Sequence, residues 1–125
     1  VISGGKHPYH QSTPILLDFL RSAGHSVEMT EDAGVLLSDS MTGYDALVYN
    51  TRRVEELTLD DGQRTALTQY IGDGKGFVCI HCAAGLPKTW PEYHDITGGG
   101  WVYEGVSTTP GAPRNGLSSS SGSFA

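Results

Sequence analysis

Two short apolar runs, Asp45-Ala46-Leu47-Val48-Tyr49-Asn50 and Gly76-Phe77-Val78-Cys79-Ile80-His81, each close on a polar residue, and a helical pattern lies between them. An apolar run without alternation suits a strand covered on both faces, the condition of a parallel sheet. The helix between them is marked at both ends. Thr58-Leu59-Asp60-Asp61 is a variant capping box whose acids suit the positive helix N-terminus. Ala66, Leu67, Tyr70 and Ile71 form its inward stripe, and Gly72 and Gly74 stop it. A strand, a crossover helix and a second parallel strand form a unit that is almost always right-handed.

A similar unit precedes it. Val1-Ile2 reads as the end of a strand, and Ser3-Gly4-Gly5 as the turn that leaves it. Ser12 or Thr13 caps a first helix with Pro14 in its first turn, and Leu16, Phe19, Leu20 and Ala23 form its apolar stripe. Gly24 suits the position just past the helix end. His25 to Thr30 then reads as a short strand with Val27 and Met29 on one face. Downstream, Trp90 to Ile96 reads as a short helix ended by Gly98-Gly99-Gly100, and Trp101-Val102-Tyr103 as a further strand. The order predicts an α/β fold: a flavodoxin-like three-layer sandwich with a parallel sheet.

At 125 residues the chain allows one domain. That domain is expected to end near Pro110. Residues 111–125 have no apolar face and include the serine run from Ser118 to Ser121, so they read as a disordered Ser/Gly-rich tail. Charged residues make up 18% of the chain, which excludes a highly charged disordered polymer. A net charge of -6 without a basic cluster argues against nucleic acid as a partner. No apolar run approaches the ~20 residues that cross a bilayer, so no membrane partner is expected. No leader peptide is visible and the two cysteines make no disulfide framework, so the expected location is cytoplasmic. The sequence opens at Val1 rather than Met, so a start lost upstream would take any leader with it.

In open α/β sheets ligands sit beyond the carboxyl ends of the strands. The exits here are Ser3-Gly4-Gly5 with His7 and His10, then Asn50-Thr51-Arg52, then His81-Cys82-Ala83-Ala84-Gly85. Gly4-Gly5 supplies either a flexible turn or amides that cradle an anion, but the glycine spacing of a dinucleotide site is missing. His81 breaks a buried apolar run. An imidazole there must find a partner at the sheet edge or open onto a cleft, where it serves as general acid or base. His7 reads as a solvated loop residue. His7, His10 and His81 would form a metal site only if the first and last exits meet; no metal and no cofactor is expected.

Cys79 and Cys82 form a C-x-x-C, but Cys79 lies within a strand. Three extended residues span roughly 10 Å, and a disulfide needs Cα atoms within about 7 Å. A redox pair is therefore not expected. Cys79 reads as a core residue, and Cys82 as a nucleophile only if a base stands beside it. Trp90 and Tyr93 suit stacking on a sugar ring or core packing. Glu55-Glu56 reads as a solvated loop, not as half of a glycosidase pair.

Four blocks of residues resemble a known family. They are Ile2-Ser3-Gly4-Gly5-Lys6-His7-Pro8-Tyr9-His10, Tyr44 to Arg52, Gly74 to Ala84 with its strand, histidine and Ala-Ala, and Trp90-Pro91-Glu92-Tyr93 with Gly98-Gly99-Gly100-Trp101. In order, over about residues 1 to 110, they are similar to the ThuA-like (trehalose-utilisation) family of the class I glutamine amidotransferase-like superfamily. The resemblance implies a flavodoxin-like fold and a role in catabolism of trehalose or a related keto-disaccharide. It implies that His81 stands where amidotransferases carry a nucleophilic cysteine, so no glutaminase reaction is expected, and that Cys82 replaces a common alanine as a tolerated variation. On that basis His81 and His10 are the expected catalytic acid/base groups. Gly5, Asn50, Trp90 and Tyr93 are the expected sugar-binding residues, and a small-molecule sugar is the partner. Two alternatives stand beside this: a non-catalytic carbohydrate-binding or regulatory module, and a hydrolase using Cys82. Members of the family run to roughly twice this length, and the similarity stops near Thr108-Thr109-Pro110. The chain thus reads as the N-terminal half of such a domain, truncated on its C-terminal side. A half-sheet with an open edge is expected to self-associate as a homo-oligomer or to be poorly soluble.

Overall fold

Three parallel strands lie side by side in sequence order: β1 (Ile2–Gly5), β2 (Ala46–Arg52) and β3 (Gly76–Cys79). The register sets Ile2 opposite Tyr49, and Tyr49 opposite Cys79. On the other side of β1, Thr30 forms a single parallel bridge with Ile2. The resulting order, with the segment at Thr30 outside β1 and then β2 and β3, is that of a flavodoxin-like α/β sheet. The computed structural model describes residues 1–53, 58–85 and 90–99. The chain divides into two compact units, residues 1–83 and residues 84–125. The strand expected at 101–103, the boundary at Pro110, the tail from 111 and the acids Glu55 and Glu56 lie outside the described residues.

The expected strand over His25 to Thr30 reduces to the bridge at Thr30. Thr30 faces Ile2 in a parallel register, and a further bond precedes it: the amino group of Val1 donates to the Glu28 carbonyl at 2.7 Å. Thr30 itself is held on both sides: its N–H donates to the Val1 carbonyl at 3.0 Å and its carbonyl accepts from Ser3 N–H at 3.0 Å. Two 3-10 helices follow, Ala33–Leu37 and Asp39–Gly43. Each starts on a side-chain cap: Asp32 accepts from Gly34 N–H at 2.8 Å and Ser38 from Ser40 N–H at 3.2 Å.

Helix α1 spans Tyr9–Ser22 and starts directly after Pro8, earlier than the caps expected at Ser12 or Thr13. Pro14 therefore lies inside the helix. The inward face is also rotated from the expected stripe. Tyr9 and Thr13 are buried, whereas Phe19 and Ala23 are exposed. A hydroxyl pair explains why a polar residue faces the sheet: Thr13 Oγ1 lies 2.5 Å from Ser3 Oγ on β1. The helix ends as expected, with Gly24 at φ +90 and His25 N–H returning to the Leu20 carbonyl at 3.2 Å.

Helix α2 (Asp61–Gly72) carries a full capping box, Asp60 with Gln63, two residues later than the Thr58 to Asp61 box expected, and buries Leu67 and Tyr70 of the predicted stripe. It packs against the 3-10 helix Ala33–Leu37. The core includes Ile2, Leu36, Leu47, Tyr49, Leu67 and Tyr70, all buried; each such side chain contributes about 2 kcal/mol through removal from water. Ile15, Phe19, Leu37 and Val78 stay exposed, and among the described residues β3 has a strand neighbour on one side only. In the second unit, α3 (Tyr93–Thr97) ends on Gly98 at φ +72. Among the described residues no helix is long and apolar enough to cross a membrane.

Candidate functional site

β1 and β3 flank β2, and both chains turn over its carboxyl end. At the end of β1, Gly5 has φ +99, and a Cβ on it would lie 2.1 Å from the Arg52 carbonyl oxygen. Only glycine lets the two backbones run this close. The next amide, Lys6 N–H, donates to that same carbonyl at 3.3 Å, and His7 N–H donates back to the Gly5 carbonyl at 3.0 Å. This three-residue turn lifts His7 off the strand. Tyr9 N–H then donates to the His7 carbonyl at 2.7 Å as α1 begins.

At the end of β3, Ile80 N–H still donates to the Tyr49 carbonyl at 3.0 Å. His81 leaves the sheet at φ 51, a left-handed conformation that costs a non-glycine residue roughly 1–2 kcal/mol. A 3-10 turn, His81–Ala84, follows directly. A strained exit from strand to helix holds its side chain above the sheet edge, as in nucleophile elbows.

The two exits meet. The rings of His7 and His81 stand edge to face, with centroids 5.9 Å apart and planes at 78°. His7 Nε2 lies 3.0 Å from Cys82 Sγ. One ring nitrogen from each histidine and the Cys82 sulfur all fall within 4.8 Å of one another. Both histidines are exposed and Cys82 is half-buried, so the cluster is open to solvent.

Tyr9 stands behind it, its ring edge-on to His7 at 5.9 Å. The Tyr9 side chain is 8% exposed, and among the described residues its buried hydroxyl has no hydrogen-bond partner. Burial pushes that hydroxyl up to about 12; the nearby Cys82 thiol adds to the rise and the Arg52 guanidinium opposes it. Burial likewise raises the Tyr49 hydroxyl beneath, against the opposing pull of the Arg53 guanidinium.

His81 thus stands at the rim, as its place in the sequence suggested. Gly5 is at the rim too, but the next two amides are engaged, Lys6 N–H with the Arg52 carbonyl and His7 N–H with the Gly5 carbonyl, and its own constraint is the close approach of β2. Asn50 is buried in β2 opposite Ser3, below the level of Thr51 and Arg52. His10 is exposed in the first turn of α1, and no contact among the described residues joins it to His81. Trp90 and Tyr93 belong to the second unit; both are buried, with ring centroids 4.9 Å apart. Among the described residues Cys79 and Cys82 form no disulfide.

Sequence reasoning placed His7 at the first exit but read it as a solvated loop residue, weighed Cys82 without naming His7 as its neighbour, and passed over Tyr9. Pro8 held the missed signal. A helix starting just after it leaves His7 on the loop over the sheet and carries His10 onto the helix. A cavity of about 500 Å³ lies elsewhere, lined by residues such as Ile2, Leu20, Val27, Leu47 and Val78; neither His7, His81 nor Cys82 lines it.

Residues 1–118 match the model of a protein family, ThuA, described as trehalose utilisation. Neither a curated protein nor a solved structure matches the chain.

Proposed function

The chain belongs to the ThuA family, tied to trehalose utilisation, and on that premise we propose that the rim over β2 binds a keto-disaccharide and moves protons on it. His81 and His7 are the exchanging pair. One neutral imidazole takes the proton from the carbon next to the sugar ketone, and the other, as imidazolium, gives a proton to the ketone oxygen. In the reverse step the imidazolium that holds the carbon-derived proton delivers it to either carbon of the enediol, while the other imidazole takes back the hydroxyl proton. The observation that carries this reading is the meeting of His7 and His81 from two different strand exits, open to solvent, at 5.9 Å between ring centroids. The strained φ of His81 supports it as well, since fixed strain at a strand exit is a common mark of a working side chain. His10 is the weaker of the two histidines first expected, because no contact among the described residues ties it to the pair.

The test is deuterium uptake from heavy water into a keto-disaccharide, followed by proton NMR. The intact chain should catalyse exchange at the carbon beside the ketone. His81→Ala should slow it by about 100-fold or more, the usual size of a general-base contribution. Exchange that survives His81→Ala unchanged overturns the reading. Melting stabilised by the sugar with no exchange at all would favour a binding module instead.

A second reading has one specific observation behind it. The base that Cys82 needs to act as a nucleophile is present, His7 Nε2 at 3.0 Å from its sulfur. Full activity after alkylation of Cys82 would exclude it.

A further inference from the structure

We propose that His7, His81 and Cys82 bind one divalent cation of the zinc class in an open, three-ligand site. The donor set comes first. Two imidazole nitrogens and one thiolate suit zinc and its cobalt substitute, and suit magnesium or calcium poorly. The geometry comes second. The three ligand atoms already fall within 4.8 Å of one another. A tetrahedral zinc holds nitrogen and sulfur ligands about 3.5 Å apart, so the His7 Nε2 to Cys82 Sγ contact of 3.0 Å opens by a fraction of an ångström on binding.

The set is not an accident of neighbouring residues. His7 and Cys82 are 75 positions apart, and the turn at Gly5 and the left-handed exit at His81 bring them together. Three protein ligands with two exposed histidines leave a fourth position for water or a ligand oxygen. Tyr9 supplies an independent sign. Its buried hydroxyl has no hydrogen-bond partner among the described residues, beside His7 and within electrostatic range of Cys82. An oxygen bound at the fourth position would give that hydroxyl an acceptor. The guanidinium of Arg52, in range of the same hydroxyl, works against a cation; loss of the Cys82 proton on binding compensates with a negative charge.

The inference goes beyond the sugar reading and does not rest on it. A histidine nitrogen that holds an ion cannot take up a proton, so the ion-bound and proton-exchanging forms are alternative states of the same residues; when bound, the ion would polarise whatever oxygen takes the fourth position.

The test uses cobalt(II) alone, added to the full chain after treatment with a chelator. One equivalent per chain should give visible tetrahedral bands and a near-ultraviolet band from thiolate to cobalt. Zinc should then bleach both. Cys82→Ser should remove the thiolate band, and His7→Ala and His81→Ala should each weaken cobalt binding at least 10-fold. His25→Ala, an exposed histidine outside the cluster, should leave binding unchanged. Should Cys82→Ser not fold, zinc protection of Cys82 from iodoacetamide, read by mass spectrometry on the unaltered chain, takes its place. The absence of a stoichiometric cobalt spectrum, or a thiolate band that persists in Cys82→Ser, overturns the proposal, as does Cys82 alkylated equally fast with and without zinc. Deuterium exchange that continues in the chelator-treated chain leaves the sugar reading standing whatever the cobalt result.

Discussion

His7 Nε2 lies 3.0 Å from the sulfur of Cys82. One residue leaves β1 and the other follows β3, with β2 between them. A contact across an intervening strand needs both loops to lean inward over the end of that strand. The Gly5 turn and the left-handed His81 supply that lean, and each can be tested separately from the chemistry.

Gly5→Ala should be severely destabilising. The new Cβ would sit 2.1 Å from the Arg52 carbonyl oxygen, and φ +99 is itself unfavourable for alanine. The expected loss in a urea unfolding curve is about 2 kcal/mol or more. Gly24→Ala, at φ +90 with open space around it, isolates the backbone strain and should cost about 1 kcal/mol. Equal losses at the two positions would mean that the approach of β2 is not what requires Gly5.

His81→Gly should separate stability from activity. Glycine adopts φ 51 without strain, so the unfolding midpoint should hold or rise by about 1 kcal/mol, while deuterium exchange is lost. His81→Ala keeps the strain and should melt below the glycine variant. The reverse order of melting would show that His81 is held by its own packing, not against backbone strain.

Stability should fall at alkaline pH. An unfolded tyrosine loses its proton near pH 10, whereas folded Tyr9 keeps it to about 12. Between those values the folded state binds more protons than the unfolded one, so stability, complete below pH 10, declines as pH rises. Tyr49 adds a loss of the same sign. Tyr9→Phe should flatten the decline in a pH series of urea midpoints. At pH 7 it should cost little or stabilise slightly, because the hydroxyl it removes is buried without a partner among the described residues. A slope unchanged by Tyr9→Phe would count against a protonated, buried Tyr9.

The Ser3 and Thr13 hydroxyls, 2.5 Å apart and buried, should behave as a unit. Ser3→Ala leaves the Thr13 hydroxyl buried alone, and Thr13→Val does the same to Ser3. Each should cost about 1–3 kcal/mol. The double variant should recover part of the combined loss, and a double-mutant cycle measures that recovery. Strict additivity would show that the pair does not hold α1 to β1.

Much of this architecture was written in periodicity. The apolar runs ending at Asn50 and His81 gave the β2 and β3 segments, and the acids at 60 and 61 with the Leu67–Tyr70 face gave α2, though its cap is Asp60 with Gln63 and not the box expected from Thr58. The segment up to Thr30 carried strand propensity, and its bonds to Val1 and Ser3 come from Glu28 and Thr30; that register is not visible in the segment itself. The face of α1 was misread because its apolar residues suggested one stripe, while a polar bond between Ser3 and Thr13 selected another. The site was legible at His81, where a polar residue interrupts a buried run. His7 was placed at the first exit but read as a solvated loop residue, because its meeting with His81 depends on where α1 starts, and the tight turn after Gly5 is an event of the backbone that residue spacing does not reveal.

The seam between Gly5 and Arg52 divides the labour at this rim. What fixes the position of the reactive groups is main chain against main chain, where no side chain is tolerated. What reacts is carried on loops one or two residues farther out. Substitution can therefore change the reagents at positions 7 and 82 while the frame stays put, and a lineage exploring new chemistry would vary those two places long before it could alter the glycine beneath them.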